Sequence, residues 1–472
     1  MLYNKKNIKF NSLSVFTLAT FCYSFNAIAD PTPSPDCLFT TKKVGVELSG
    51  KKMFSDLWAF DDSFNNNASV VTYADLATKC SLDEYITLSA QGKVLFNRLF
   101  SNPGALEGSK ENTYAFFNSA KATFLVDDNN FVDVGKLLIV GGGLFSYSPL
   151  DLIKNIIGQP QGMSLFYGTE FNESPFREGS YGVSISNYNK TGTYSLTYLP
   201  EFSRVRGEVE APDDLSEFER TNNKTRVLLS YSTANTELLS ATISFLVGDM
   251  KSIAAGISHS FSDDSILTVE SAVHYGPNWD KVDQNFISDV ESFEFPGKIL
   301  SEYDDKLVAE FAIGHRQTLK DKSEVGIEYY HQTAGYSQSE WRGLVNTIKY
   351  LNGDYRIYPG HHLIPQSVFD KYAKGLAAEL DTINRQKYLL QRHYATVYYQ
   401  TNNNNIGDIN YSASAMMNLV DFGTLVNVQI EKILRDNMLI YAGMNSAIGE
   451  TDSEFAIFGQ RLNVYSGLNY QW

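Results

Sequence analysis

The feature that most constrains this chain is a period-two alternation of apolar residues with small polar ones. Tyr194-Ser195-Leu196-Thr197-Tyr198 alternates strictly, as do Val183-Ser184-Ile185 and Ile409-Asn410-Tyr411-Ser412-Ala413-Ser414-Ala415. Val227-Leu228-Leu229-Ser230-Tyr231 does so with one exception. Successive side chains of a strand point to opposite faces, so each segment has one greasy and one polar face. A soluble sandwich would bury the greasy face. A barrel in a bilayer would turn it to lipid and keep the polar face on a wet lumen. Alternation alone does not choose between the two.

The N-terminal region bears on the choice. Lys5, Lys6 and Lys9 precede a mostly apolar stretch from Leu13 to Phe25, and Ala27-Ile28-Ala29 supplies small residues before Asp30. Residues 1–29 therefore read as a secretory signal peptide. A lipoprotein signal ending at Cys22 is the rival, disfavoured by the bulky Phe21. Removing the leader's three lysines takes the formal charge from −15 to −18. So acidic a chain is a poor nucleic-acid ligand; its loops could meet anionic lipopolysaccharide through divalent cations. The sequence has no run of about 18 apolar residues that would make a membrane helix. Yet aromatics make up 13% of it, mostly Tyr and Phe. Lipid satisfies no backbone hydrogen bonds, so the remaining way to cross a membrane is a closed barrel. Cys37 and Cys80 remain after the leader is removed, and an even pair in an oxidising compartment points to a disulfide.

The chain end adds a more specific pattern. Leu462, Val464, Leu468, Tyr470 and Trp472 share one face, interrupted by Ser466, while Arg461, Asn463, Asn469 and Gln471 take the other. This resembles the C-terminal assembly signal of Gram-negative outer-membrane barrels, whose last strand alternates to a terminal aromatic. The resemblance implies an outer-membrane location and recognition by the barrel-assembly machinery, with Leu468, Tyr470 and Trp472 as the signal.

The same patterning predicts a single all-β domain, an antiparallel transmembrane β-barrel over residues 43–472 after a lead-in at 30–42. Eighteen strands are expected, near 43–59, 67–76, 84–99, 113–126, 131–143, 180–187, 193–202, 224–233, 237–247, 252–262, 265–275, 305–317, 323–335, 387–400, 407–418, 424–433, 437–447 and 457–472. A 16-stranded barrel is the alternative. Connections rich in turn formers, such as Asp263-Asp264, fall on one side. The long ones at 144–179, 203–223, 276–304 and 336–386 fall on the other. Short connections at 248–251 and 419–423 are exceptions on the long-loop side. In 336–386, Val368, Tyr372, Leu376, Leu380 and Ile383 recur at helical spacing. That helix would lid the mouth, enter the vestibule or pack on neighbouring loops.

Barrels of 16 to 18 strands enclose water unless plugged. A charge on the lipid face near the midplane costs about 2–4 kcal/mol, so parity sends the strand charges inward. The expected lumen residues are Lys93, Lys121, Arg226, Glu270, His274, Glu310, Arg316, Glu328, Arg392 and Arg461. They would form either a mixed-charge wall that selects solutes or ion pairs that brace the barrel.

The third loop on the long-loop side, 144–179, is the expected constriction, with Tyr147, Pro149, Asp151, Lys154 and Arg177 as candidates. Gly141-Gly142-Gly143 permits a sharp turn at its entry. Pro149 stops pairing, and Asp151 is placed to cap a helical turn over Leu152–Ile157. The segment is similar to the inward third loop of general porins and related 18-stranded channels, and more faintly to alginate-export-like barrels. The resemblance implies passive passage of small hydrophilic solutes. An exporter, a surface receptor or adhesin, or an outer-membrane hydrolase is the alternative. The sequence contains no Gly-x-Ser-x-Gly, no His-Glu-x-x-His and no phosphate-binding glycine loop. Neither a cofactor nor a metal is expected, and no catalytic residue; oligomers are possible.

Overall fold

A computed structural model describes residues 36–471, except 54–56, 59–66, 103–109, 154–176, 203–215, 235–237, 249, 277–280, 284, 295–298, 302–305, 354–364, 386–388, 402–408, 436 and 459. Eighteen antiparallel strands close into one barrel. In chain order they begin with β1 (Asp36–Met53), β2 (Asn67–Ser81), β3 (Ile86–Leu99), β4 (Glu111–Asp127), β5 (Asn130–Leu137), β6 (Ser180–Asn189), β7 (Gly192–Leu199) and β8 (Arg226–Thr233). Next come β9 (Leu239–Val247), β10 (Lys251–Ser262) and β11 (Ser265–Gly276). A two-residue ribbon, β12 (Lys281–Val282) with β13 (Leu300–Ser301), lies in the following loop. The wall resumes with β14 (Lys306–Thr318), β15 (Glu324–Gln332), β16 (His393–Gln400), β17 (Ile409–Asn418), β18 (Thr424–Arg435), β19 (Met438–Ile448) and β20 (Gln460–Gln471).

Each barrel strand pairs with its chain neighbours, and β20 pairs with β1 to close the ring, Leu468 opposite Val46 and Tyr470 opposite Val44. Every expected strand is present, and the 16-stranded alternative is set aside. The boundaries differ in three informative places. β1 starts at Asp36 rather than residue 43, because Asp36 through Lys43 already pair with β2. β5 stops at Leu137, ahead of the three glycines. β16 starts at His393 rather than near 387, so Arg392 lies above the wall.

The alternation now has a physical assignment. Val183, Ile185, Tyr194, Leu196, Leu229, Ile243, Phe245, Ile253 and Ile257 are exposed on the outside. Their polar neighbours face inward, where Ser184 meets Thr197 at 2.8 Å and Ser230 meets Ser244 at 2.9 Å. An apolar exterior over a polar interior is stable only with lipid outside. Exposed aromatics mark both rims, Tyr85, Tyr188 and Phe261 near the short turns and Phe100, Tyr275 and Phe422 near the long loops. Cys37 and Cys80, opposite one another on β1 and β2, are disulfide-bonded at the short-turn rim.

The largest buried apolar cluster sits above the wall. It is built from α3 (Gln338–Leu351) and α4 (Gln366–Arg385), with the shorter α2 (Phe286–Glu291) packed against them. A fourth helix, α1 (Glu217–Thr221), lies in the loop before β8. Leu344, Ile348, Phe369, Leu376 and Leu380 are nearly inaccessible, and Leu57, Trp58, Ile457 and Phe458 join them from two other loops. The expected amphipathic helix therefore packs on neighbouring loops and makes a cap. Ser337 starts α3 with a reciprocal capping box to Glu340.

Candidate functional site

The described start of the third loop on the long-loop side, residues 138–153, leaves β5 and runs against inward-facing residues of the wall. The glycines explain how it can. Gly142 has φ of +89°, a backbone conformation open to glycine at little cost. A Cβ on Gly141 would strike the carbonyl of Leu150 at 2.2 Å, so the chain folds back on itself between Gly141 and Leu150 through the bare backbone.

From there the loop is pinned by two wall carboxylates. Glu270 of β11 accepts the Gly143 N–H at 2.8 Å and the Ser148 hydroxyl. Glu328 of β15 accepts the Phe145 N–H at 2.5 Å, the Ser146 N–H at 2.8 Å and the Ser146 hydroxyl at 2.5 Å. Loop backbone donors that would otherwise be stranded in the lumen are thus satisfied by charged acceptors, the stronger class of hydrogen bond. Apolar contacts complete the docking. Ile139, Leu152 and Ile153 pack on Leu199, Leu228 and Leu246 at the ends of β7 to β9. Leu150 packs on Ala254 and Ala272. The Phe145 ring stacks on Tyr398 of β16 with centroids 4.0 Å apart and planes 16° apart. Gly326 makes room for Tyr398, since a Cβ there would meet its ring at 2.3 Å.

The expected constriction residues fall as follows. Tyr147 packs beside Tyr330, centroids 5.6 Å apart, within a cluster that includes Leu389 and Tyr394. Pro149 is buried in the turn before Leu150. Asp151 caps no helix over the described residues 151–153. Its carboxylate pairs with Arg177 on the returning limb, a tertiary contact. Lys154 lies outside the described residues, as does the rest of the expected turn to Ile157.

The wall charges are mostly braced in pairs. Lys93 meets Asp75 at 2.8 Å, and Lys121 meets Asp133 at 2.6 Å. His274 lies 3.5 Å from Glu310 and 2.8 Å from the Ser252 hydroxyl. Arg316 lies 3.9 Å from Glu324. Arg226 donates to the Thr221 carbonyl and the Ser180 hydroxyl, tying the loop that carries α1 to the top of the wall. Arg392 is not on the lumen wall. It donates to the Gly335 carbonyl at 2.9 Å and to Glu340 at 3.2 Å in the cap, because β16 begins one residue later. Arg461 is on β20, but its side chain is outside the described set. Leu468 and Tyr470 are on that strand's lipid-facing side, opposite Val46 and Val44; Trp472 is not described. Among the described residues, no group of three or more His, Cys, Asp or Glu is arranged to hold a metal.

Sequence reasoning missed the aromatic part of the receiving side and the roof of this arrangement. Tyr330 and Tyr398 had inward parity as their only signal. Glu454, in the loop before β20, had none. It is buried and accepts from the Leu390 N–H at 2.6 Å, the Tyr394 hydroxyl at 2.6 Å and the Asn418 amide at 2.5 Å. Burial raises its carboxyl to about 8, even though these donors favour the charge. Asp421 beside it is raised for the same reason, accepting the Glu454 N–H at 2.7 Å and the Gln391 amide at 2.5 Å. Three long-side loops thus meet at one carboxyl directly above the cluster that holds Tyr147.

No family model matches the chain, and no curated protein matches it in sequence. Solved structures share its fold. OccAB1 of Acinetobacter baumannii superposes with a TM-score of 0.50 at 10% identity, covering 93% of this chain and 97% of that one. OccK8 (OprE) of Pseudomonas aeruginosa gives 0.49 at 10% identity, over 93% and 98%. OccAB4 of Acinetobacter baumannii gives 0.48 at 10%, over 94% and 100%. At such identities the likeness is one of fold.

Proposed function

We propose that this protein is an outer-membrane channel through which small hydrophilic solutes diffuse passively, narrowed by its third loop on the long-loop side. The observation that carries the reading is the docking of that loop inside the barrel. Polar backbone groups are held within the lumen by Glu270 and Glu328, with Phe145 at the far side of the arc. Burial of a loop in the lumen narrows it, and a wall of polar side chains keeps the remainder wet. Tyr147, Pro149, Asp151 and Arg177 serve as the scaffold of the constriction, and the Asp151–Arg177 pair closes its base.

In this reading the short turns face the periplasm and the helical cap faces outward, against lipopolysaccharide. The alternating face of β20 is the segment that barrel-assembly machinery would take up. The wall supplies a path and does no bond-making chemistry. Reconstitution of the folded protein in a planar bilayer tests this. Stepwise conductance is expected, and its absence from protein that is folded by circular dichroism and resistant to protease would overturn the proposal.

A further inference from the structure

The polar lining is not uniform around the barrel. Across β6 to β9, Ser186, Ser195, Ser230 and Ser244 stand opposite one another in a single row over four consecutive strands. Ser232 pairs with Thr242 at 2.9 Å in the next row toward the short turns. Ser258 pairs with Thr268 at 3.0 Å on β10 and β11. The row is continued on β10 and β11 by Ala254 and Ala272, on which Leu150 of the inward loop rests. These hydroxyls thus form a terrace immediately beneath the constriction. Most are half-buried, so they are reachable from the lumen. Along β6 to β9 the inward hydroxyls alternate with outward apolar residues, and Arg226 at the far end of β8 is the one charged side chain.

The cations have a different character. Among the described residues, Lys93, Lys121 and Arg316 on the wall and Arg177 on the loop each face a carboxylate, while Arg226 is taken up by the Thr221 carbonyl and the Ser180 hydroxyl. An ion pair presents a dipole to a passing solute, and its field weakens faster with distance than that of a lone charge. A carboxylate solute meeting these groups would have to compete with an acid already in place.

Resting on the channel reading, we infer that the favoured solutes are neutral and hydroxyl-rich, of the polyol or small saccharide class. A serine or threonine hydroxyl offers one donor and two acceptor positions. A cross-strand pair that shares one hydrogen bond still has capacity on both oxygens. Rows of such pairs can exchange hydrogen bonds with a diol in either polarity as it slides, replacing its water without ever fixing it. A full charge would gain nothing there and would lose hydration.

The test is solute flux in proteoliposomes, with mannitol and glucose set against gluconate and a size-matched amine, beside reversal potentials in a potassium chloride gradient. The wild type is expected to pass the neutral solutes faster than either ion, with cation and anion permeabilities within about threefold, as paired charges imply. The triple variant Ser230→Ala, Thr242→Val, Ser244→Ala is expected to slow mannitol by about threefold to tenfold, since each lost hydrogen bond is modest. Its potassium chloride conductance should be unchanged, which also reports that it has folded. Strong selectivity for gluconate or the amine, or unchanged mannitol flux through the conducting variant, would overturn the inference. A wild type with no conductance would instead overturn the channel reading.

Discussion

Replacing Glu328 with alanine should release the far end of the inward loop while leaving the barrel intact. Three donors converge on this carboxylate, from Phe145 and Ser146, at 2.5 to 2.8 Å. Hydrogen bonds to a charged group contribute about 1.5–3 kcal/mol each, and a stranded N–H costs about 1–3 kcal/mol. Removal of the buried carboxylate recovers part of its desolvation cost, so a net loss of about 2–5 kcal/mol in docking is expected. What remains at the far end is apolar and less directional: the Phe145–Tyr398 stack, about 0.5–1.5 kcal/mol, and the packing of Leu144 and Tyr147 beside Tyr330. These contacts keep the segment near the wall but leave its backbone donors at Phe145 and Ser146 unanchored. The base stays fixed by Glu270 and by Leu150 on its alanine shelf. Single-channel recording should therefore show larger and noisier open currents for Glu328→Ala. Glu328→Gln should be intermediate, since its amide keeps one acceptor oxygen but presents N–H groups to donors. The double variant with Glu270→Ala should exceed either single change. A folded Glu328→Ala protein with wild-type conductance and noise would refute the assignment of this carboxylate as the loop's anchor.

Two further outcomes concern the cap. Glu454, raised to about 8 by burial, contributes fully below about pH 4.5 and loses that contribution as pH climbs through about 8. Glu340 behaves oppositely. Burial works against its charge, but the Ser337 donors and Lys281 prevail and hold it at about 2, so its contribution is present above pH 4.5 and lost as pH falls through about 2. Cap resistance to limited proteolysis should thus peak in mild acid, and Glu454→Gln should flatten the alkaline limb; an unchanged alkaline limb would sink the assignment. Leu344→Ala, which empties a site inaccessible to solvent, should destabilise the cap by about 2–5 kcal/mol. It should speed cleavage in the long loops without altering the heat-induced gel shift of the barrel, and equal loss of both would show that cap and wall unfold together.

The wall was legible because its signal is local. A strand exposed to lipid on one face and water on the other must alternate at every step, so Leu196 and Ser195 declare their faces without reference to the rest of the chain. Parity put Glu270 and Glu328 on the face opposite their exposed apolar neighbours. What they bind was not legible, since their partners lie 127 and 183 residues away and the loop between has no period of its own. Asp151 is a similar case: its local setting suits a helix cap, but its ion pair with the distant Arg177 has no local signature. Arg392 was misplaced because the segment before β16 alternates poorly, so a charge one residue above the sheet looked like part of it. The helical period of Val368 to Ile383 gave α4, but not the three loops that converge on it.

The cap and the wall owe their cohesion to different solvents. Around the staves, hydrocarbon touches hydrocarbon on both sides of the greasy surface, and closure of the hydrogen-bonded ring does most of the holding. Above them, Leu344, Phe369 and their neighbours are driven together by release of water, a force that fades on cooling and yields to urea. Chill or mild denaturant should therefore unroof the mouth before it troubles the cylinder, making the entrance the part of the molecule that senses the medium outside.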